Sequence, residues 1–211
     1  GIQCLLTDNP QQALDTAREL DEPNQDRKLI EQDMQREALA IVETIPLSSE
    51  GQVPAALCLF QPEWHQGVVG LLASRIKEKF HRPVIAFARA DDGQLKGSSR
   101  SIPGLHIRDA LDAVAARHPG LISKFGGHAM AAGLSLEEDK LAQFEQAFQQ
   151  QVEQSLSADD LQAKLVTDGE LHNAEMSIHT AELLRDSGPW GQLFPEPCFE
   201  GLFLIKQQRI V

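Results

Sequence analysis

The 211-residue chain is acidic, with 19 Lys and Arg against 31 Asp and Glu, and 42% of its residues are hydrophobic. That length and apolar content suit one large globular domain or two small ones, and no apolar run reaches the ~20 residues of a membrane-spanning helix. No signal peptide is read at the start, and Cys4, Cys58 and Cys198 are too widely spaced for a disulfide framework or zinc site, so a cytoplasmic protein with reduced thiols is expected.

The charge is unevenly spread. Residues 1–50 carry 4 Lys/Arg against 11 Asp/Glu, residues 51–136 carry 10 against 6, and residues 137–211 carry 5 against 14. The middle of an acidic chain is therefore basic, which suits a local anionic ligand.

In chain order, residues 2–6 read as a short buried strand. Thr7 or Asp8 then caps a helix with Pro10 in its first turn, and Pro23 ends it. A second helix over 24–44 carries one apolar stripe (Ile30, Met34, Ala38, Ile41, Ile45) on a charged rod, the pattern of a connector between domains. Pro46 and the Ser48-Ser49-Glu50-Gly51 segment read as a linker.

From Val53 the pattern is α/β. A strand over 55–60, a helix over 65–80 and a strand over 83–88 form a crossover between parallel strands. An extended segment over 94–102 includes Gly97-Ser98-Ser99-Arg100-Ser101, too small and polar for an ordinary core strand. A helix follows over 107–117, then a tight Gly126-Gly127-His128 loop, a strand over 133–136 and an amphipathic helix over 137–156. Beyond it, strands are expected over 165–171 and 201–205, with a helix over 178–186 between them. A breaker-rich loop, Gly188-Pro189-Trp190-Gly191 to Pro195-Glu196-Pro197, precedes the last strand.

No H-E-x-x-H motif, Cys/His cluster or G-x-S-x-G elbow is present, so neither a self-contained metal centre nor a serine hydrolase is supported. A phosphate-recognition set remains. Alternation along a strand puts Ser98 and Arg100 on one face, and a guanidinium beside a hydroxyl suits a phosphate. The paired glycines allow close approach of a charged ligand to backbone N–H groups, with His128 as a directional donor.

Three motifs, Glu63-Trp64-His65-Gln66-Gly67-Val68-Val69-Gly70, Gly97-Ser98-Ser99-Arg100-Ser101-Ile102-Pro103-Gly104 and Gly126-Gly127-His128-Ala129-Met130-Ala131-Ala132-Gly133, occur in that order. Together they resemble the RecJ family of the DHH phosphoesterase superfamily, single-stranded-DNA-specific 5′→3′ exonucleases of DNA repair and recombination. The later Gly-Pro-Trp-Gly…Pro-Glu-Pro segment is similar to that family's Pro-Phe-Gly…Pro-Glu-Pro stretch, departing at Trp190 and the Gln192-Leu193-Phe194 run. The resemblance implies an α/β protein: a connector over 1–52, a DHH-associated substrate-binding domain with a mixed sheet over 53–156, and the truncated start of an oligonucleotide-binding β-barrel over 157–211. It implies that Ser98 and Arg100 bind a DNA phosphate, and that Gly126, Gly127 and His128 hold the one near the scissile bond, His128 aiding catalysis. Asn24 and Arg27 match an Asn-x-x-Arg pattern on the connector. His65, at a helix start, reads as a capping or packing residue.

The resemblance further implies Mg2+ or Mn2+ held by a catalytic DHH domain whose motifs are absent here, so that this chain alone is inactive. Its partners would be single-stranded DNA, a single-stranded-DNA-binding protein and that catalytic domain, with no membrane. The alternative is a phosphodiesterase of the same superfamily acting on short oligonucleotides or cyclic dinucleotides.

Overall fold

Apolar runs without charge make strands buried on both faces, and the first two strands of the sheet are built from them. The structure, a computed structural model, describes residues 1–44, 53–191 and 194–209. Five strands, β1 (Leu57–Phe60), β2 (Val84–Arg89), β3 (Gln94–Arg100), β4 (Lys124–Gly127) and β5 (Ala131–Glu137), form one mixed sheet in the order β1-β2-β3-β5-β4. The β1–β2 pair is parallel, as a strand–helix–strand crossover requires, and the other pairs are antiparallel.

Three helices pack on this sheet or beside it: α3 (Val69–Phe80), α4 (Ile107–Arg117) and α5 (Leu141–Ser155). One face buries Ile85, Phe87, Leu95 and Leu134 against Ile107, Leu111, Phe144 and Phe148. There the Phe87 and Phe144 rings meet edge to face, 5.8 Å apart. The opposite face buries Val84, Ala86 and Ala88 under Val69, Leu72 and Ile76 of α3. The smallness of the Gly97 motif follows from the first core, because a Cβ on Gly97 would come within 2.6 Å of the Phe87 ring.

Several sequence expectations are corrected. Residues 2–6 form an exposed helix, α1 (Ile2–Leu6), and not a buried strand. Pro23 does not end a helix: α2 runs unbroken from Pro10 to Thr44. The proline removes one hydrogen bond, but side chains brace the rod across it, Gln25 Nε2 donating to Asp21 Oδ2 at 2.6 Å. Asn9, rather than Thr7 or Asp8, caps α2, its Oδ1 accepting from the Gln11 and Gln12 N–H groups. The buried stripe of α2 is Met34, Ala38 and Val42, while Ile30 is half exposed. The linker read over 46–51 lies outside the described residues, as does Ile45. The α3 helix starts at Val69, since the His65 ring and carbonyl accept the Gly67 and Val68 N–H groups and shape a turn before it.

The chain divides into two compact units, residues 1–162 and 163–211. In the second, α6 (Ile178–Asp186) forms as expected, with Ser177 as its N-cap. The strands expected over 165–171 and 201–205 do not form: among the described residues the first contributes one parallel bridge, from Glu170 to Glu200 just before the second. No described residue of this unit is buried, so nothing apolar there fixes a strand register.

One partly buried group makes stability depend on pH. Desolvation pushes the Glu145 carboxyl above its ordinary value, and burial followed by the Glu145 charge pushes the neighbouring Cys58 thiol up. The folded protein thus holds the Glu145 proton better than the unfolded chain, and stability is lost as pH rises from the ordinary carboxylate range through the raised value. Glu145→Gln is expected to raise the melting temperature by a few degrees at pH 7 and to match the parent at about pH 4. Thermal denaturation at the two pH values checks this.

Candidate functional site: a basic, glycine-floored sheet face

Residues paired directly across antiparallel strands share a face. Ser98 of β3 opposes Gly133 of β5, which opposes Gly126 of β4, and Arg100 opposes Ala131. These residues lie on the side of the sheet that α3 covers over β2. Beyond β3 that side is open: Gly126 and Gly133 are exposed, and nothing stands within 4 Å of where a Gly126 Cβ would be.

The three motifs converge here. Gly70, which closes the first, lies against the second: a Cβ on it would stand 3.0 Å from Arg100 Nη2 and 3.4 Å from Ser98 Oγ. Arg100 donates through Nε to Ser74 Oγ at 3.2 Å and through Nη1 to the Ser99 carbonyl at 2.8 Å. Two of a guanidinium's five donors are thereby fixed and the rest remain for an anion. Ser98 and Arg100 share a face, as alternation required. Ser99 points the other way, its buried hydroxyl donating to the Ala132 carbonyl and accepting from the Ala132 N–H.

The Gly-Gly-His segment is not a loop. Gly126 and Gly127 end β4, and His128 opens the turn into β5. Its N–H donates to the Ala131 carbonyl at 2.8 Å and is not open to a ligand, a correction to the backbone-cradle expectation. The turn is pinned at both shoulders, Ser101 N–H donating to the Met130 carbonyl and Ile107 N–H to the Ala129 carbonyl, each at 2.9 Å. His128 is exposed on this fixed turn.

Asn24 and Arg27 lie elsewhere on the same unit. Arg27 donates to Asn24 Oδ1 at 3.0 Å and to Glu31 Oε2 at 2.9 Å, and Glu31 also pairs with Arg75 of α3. Pro23, Arg27, Ile30, His65 and Gly67 line a cavity of about 340 Å³. Arg27 and His65 therefore share a hollow beside α3, and an anion there competes with Glu31. The adjoining Trp64 ties this corner together, its indole N–H donating to Glu37 Oε2 at 2.8 Å.

The sequence reading missed Lys96 and Lys124. With Gly126, Gly133 and Ser135 they line a depression of about 350 Å³ on the open sheet face. Period-two alternation back from Ser98 and Gly126 was the signal that could have found them.

Residues 51–154 match the DHHA1 domain family. A DHHA1 domain is therefore present in this chain. Over its full length it is 59% identical to the single-stranded-DNA-specific exonuclease RecJ of Salmonella typhimurium and 58% identical to that of Escherichia coli, spanning 36% of each. The chain thus spans about a third of the length of these curated relatives. A crystal structure of RecJ from Thermus thermophilus in complex with Mg2+ superposes with a TM-score of 0.75 at 28% identity, covering 93% of this chain and 29% of that one. The RecJ resemblance drawn from three motifs thus holds across the chain, and those motifs meet on one face of the DHHA1 sheet. The described residues of this chain offer no group of three or more His, Cys, Asp or Glu able to hold a metal, so no chemical step through a metal is derived from them.

The two adjacent glycines make opposite demands. Gly127 has φ +154°, and a Cβ there would stand 2.4 Å from the Ala131 carbonyl oxygen and the Ala132 Cα. Gly127→Ala should cost about 1–3 kcal/mol of stability, whereas Gly126→Ala should change it by less than about 0.5 kcal/mol. If Gly126→Ala nonetheless weakens ligand binding, the missing side chain serves the ligand and not the fold. Denaturant melts alongside a binding titration separate the two.

Proposed function

We propose that the full-length protein containing this chain is a single-stranded-DNA-specific 5′→3′ exonuclease of the RecJ type, and that this chain supplies its substrate-phosphate face. In this reading residues 1–52 connect to a catalytic domain, residues 53–156 hold the substrate, and residues 157–211 begin an oligonucleotide-binding barrel. The observation that carries it is the convergence of Gly70, Ser98, Arg100, Gly126 and His128 on one open sheet face, in a chain 48–59% identical over its length to four RecJ exonucleases. Divalent metal, Mg2+ or Mn2+, would be held by residues outside this chain, and this chain alone would bind without cleaving. A cytoplasmic location and a single-stranded-DNA-binding protein as partner belong to the same proposal.

The chemistry assigned to this chain is positioning. Arg100, held at two of its donors, and Ser98 beside it grip one phosphate through charge-assisted hydrogen bonds. His128, on a turn fixed at both shoulders, donates to a phosphate oxygen that gains charge as the bond breaks. A donor already in place at that oxygen lowers the barrier because it need not reorganise during reaction. Gly126 contributes by leaving room for the backbone of the strand. Asn24 and Arg27 form a second anion contact near His65.

In the full-length protein, His128→Ala is expected to lower turnover on 5′-phosphorylated single strands by roughly 100-fold. Arg100→Ala is expected to raise KM by roughly 10- to 100-fold. Both variants should retain the parent's melting temperature. Degradation by both at the parent's rate would overturn the residue assignments. Faster hydrolysis of dinucleotides than of long strands by the parent would replace the exonuclease reading with the short-substrate one.

A further inference from the structure

The open face has one row of residues that the phosphate contacts above do not use. Lys96 of β3 and Lys124 of β4 both oppose Ser135 of β5, so the two lysines flank one small residue in a single cross-strand row. The next row is Ser98, Gly133 and Gly126, and the third is Arg100 and Ala131, with His128 in the turn beyond β4. Over these three rows the middle strand presents only Ser, Gly and Ala to this face. The flanking strands present two lysines at one end, and an arginine and a histidine at the other. The result is a trough with a small-residue floor and basic walls.

Its dimensions follow from strand geometry. Rows two residues apart lie about 7 Å from one another, and β3 and β4, separated by β5, are about 10 Å apart. A step of that size is comparable to the spacing of successive phosphates in an extended single strand, and the width admits one backbone but no duplex. The track also has an end. Past Lys96 the next row pairs Gln94 with Glu137, whose carboxylate accepts from the Gln94 amide, and Asp92 Oδ2 stands 3.8 Å from Lys96 Nζ. Both lysines are partly or fully exposed, so neither is needed to hold the sheet together.

We propose that Lys96 and Lys124 form a further phosphate subsite, gripping the backbone of single-stranded DNA one or two nucleotides along from the phosphate held by Ser98 and Arg100. The inference rests on the exonuclease reading and specifies how that site extends. A lysine pair is a suitable grip here, because two flexible point charges can follow a moving phosphate where a fixed guanidinium fork cannot. The bare Gly133 floor lets the sugar-phosphate chain lie close to the sheet, and its ideal Cβ would have only the Gly97 carbonyl oxygen nearby, at 3.8 Å.

The test is the salt dependence of single-strand affinity in the full-length protein, measured with a 5′-phosphorylated oligothymidylate between low and physiological salt. Each phosphate that the protein no longer neutralises should reduce the slope of log K against log salt by about 0.7, so Lys96→Gln/Lys124→Gln, which empties one phosphate subsite, should flatten it by about 0.7 and weaken binding roughly tenfold at low salt. Arg108→Gln/Arg117→Gln on α4 removes the same charge from a helix on the other side of the sheet and should leave the slope unchanged. Gly133→Val, which raises the trough floor, should weaken binding without altering the slope. A parent slope in the lysine variant, or an equal loss in the Arg108/Arg117 variant, overturns the subsite. Failure of the parent itself to bind single-stranded DNA overturns the reading beneath it.

Discussion

The register between β3 and β5 is the constraint on which the site depends. The side-chain period of a strand is two, so a slip of one residue would turn Lys96, Ser98 and Arg100 into the core beneath Phe87 and Phe144. Two features forbid the slip. Gly97 is the residue that leaves room for the Phe87 ring, and Ser99 bonds the Ala132 backbone through its buried hydroxyl. A buried hydroxyl left without partners would cost about 1–3 kcal/mol, which adds to the penalty for misregister. The polar character of the Gly97-Ser98-Ser99-Arg100 strand is therefore two patterns interleaved. Gly97 and Ser99 specify the fold, and Ser98 and Arg100 face outward with Lys96.

The acidic net charge does not conflict with an anionic ligand at this face. Beyond a Debye length of about 10 Å at 0.1 M salt, the carboxylates of the flanking segments are largely screened. What a phosphate meets is the local set, and that set is basic. Glu31 and Glu138 are engaged by cations away from the trough, Glu31 by Arg27 and Arg75 and Glu138 by the bidentate Arg89. Hydrogen bonding to Arg89 holds Glu138 below the ordinary carboxylate range, so it stays ionised and paired through mild acid.

Much of this architecture was legible in the residues. The apolar runs at β1 and β2 and the helix at α4 stood out because period and length agreed with local capping and turn residues. The Gly-Gly-His segment was misread as a loop because glycine weakens a strand locally. Its pairing is imposed from outside, by β5 on one side and by the bonds that pin the turn to Ser101 and Ile107. Pro23 misled for a similar reason, a local breaker overridden by side-chain bonds across it. In the second unit the apolar residues over 165–171 and 201–205 promised strands, but no described residue there is buried. Lys96 and Lys124 were hidden because a lone lysine carries no motif. They acquire meaning only when β5 brings two of them to one residue.

The site divides its work between fixed and adaptable donors. Arg100 is held at two nitrogens and His128 sits on a turn bonded at both shoulders, so at that end of the trough geometry is set before any ligand arrives. In the proposed exonuclease such preorganisation would suit the phosphate at which bond breaking is to be aligned, where a small misplacement is expensive. At the far end the donors are long, exposed lysine chains with weak competing contacts. Under the proposed exonuclease activity they would suit a backbone that is held yet advances by one nucleotide after each cut. Rigid donors along the full length would bind the strand more tightly in one register and resist that advance, because each step would break several directional bonds together. A trough that is rigid at one end and compliant at the other meets both demands with one sheet.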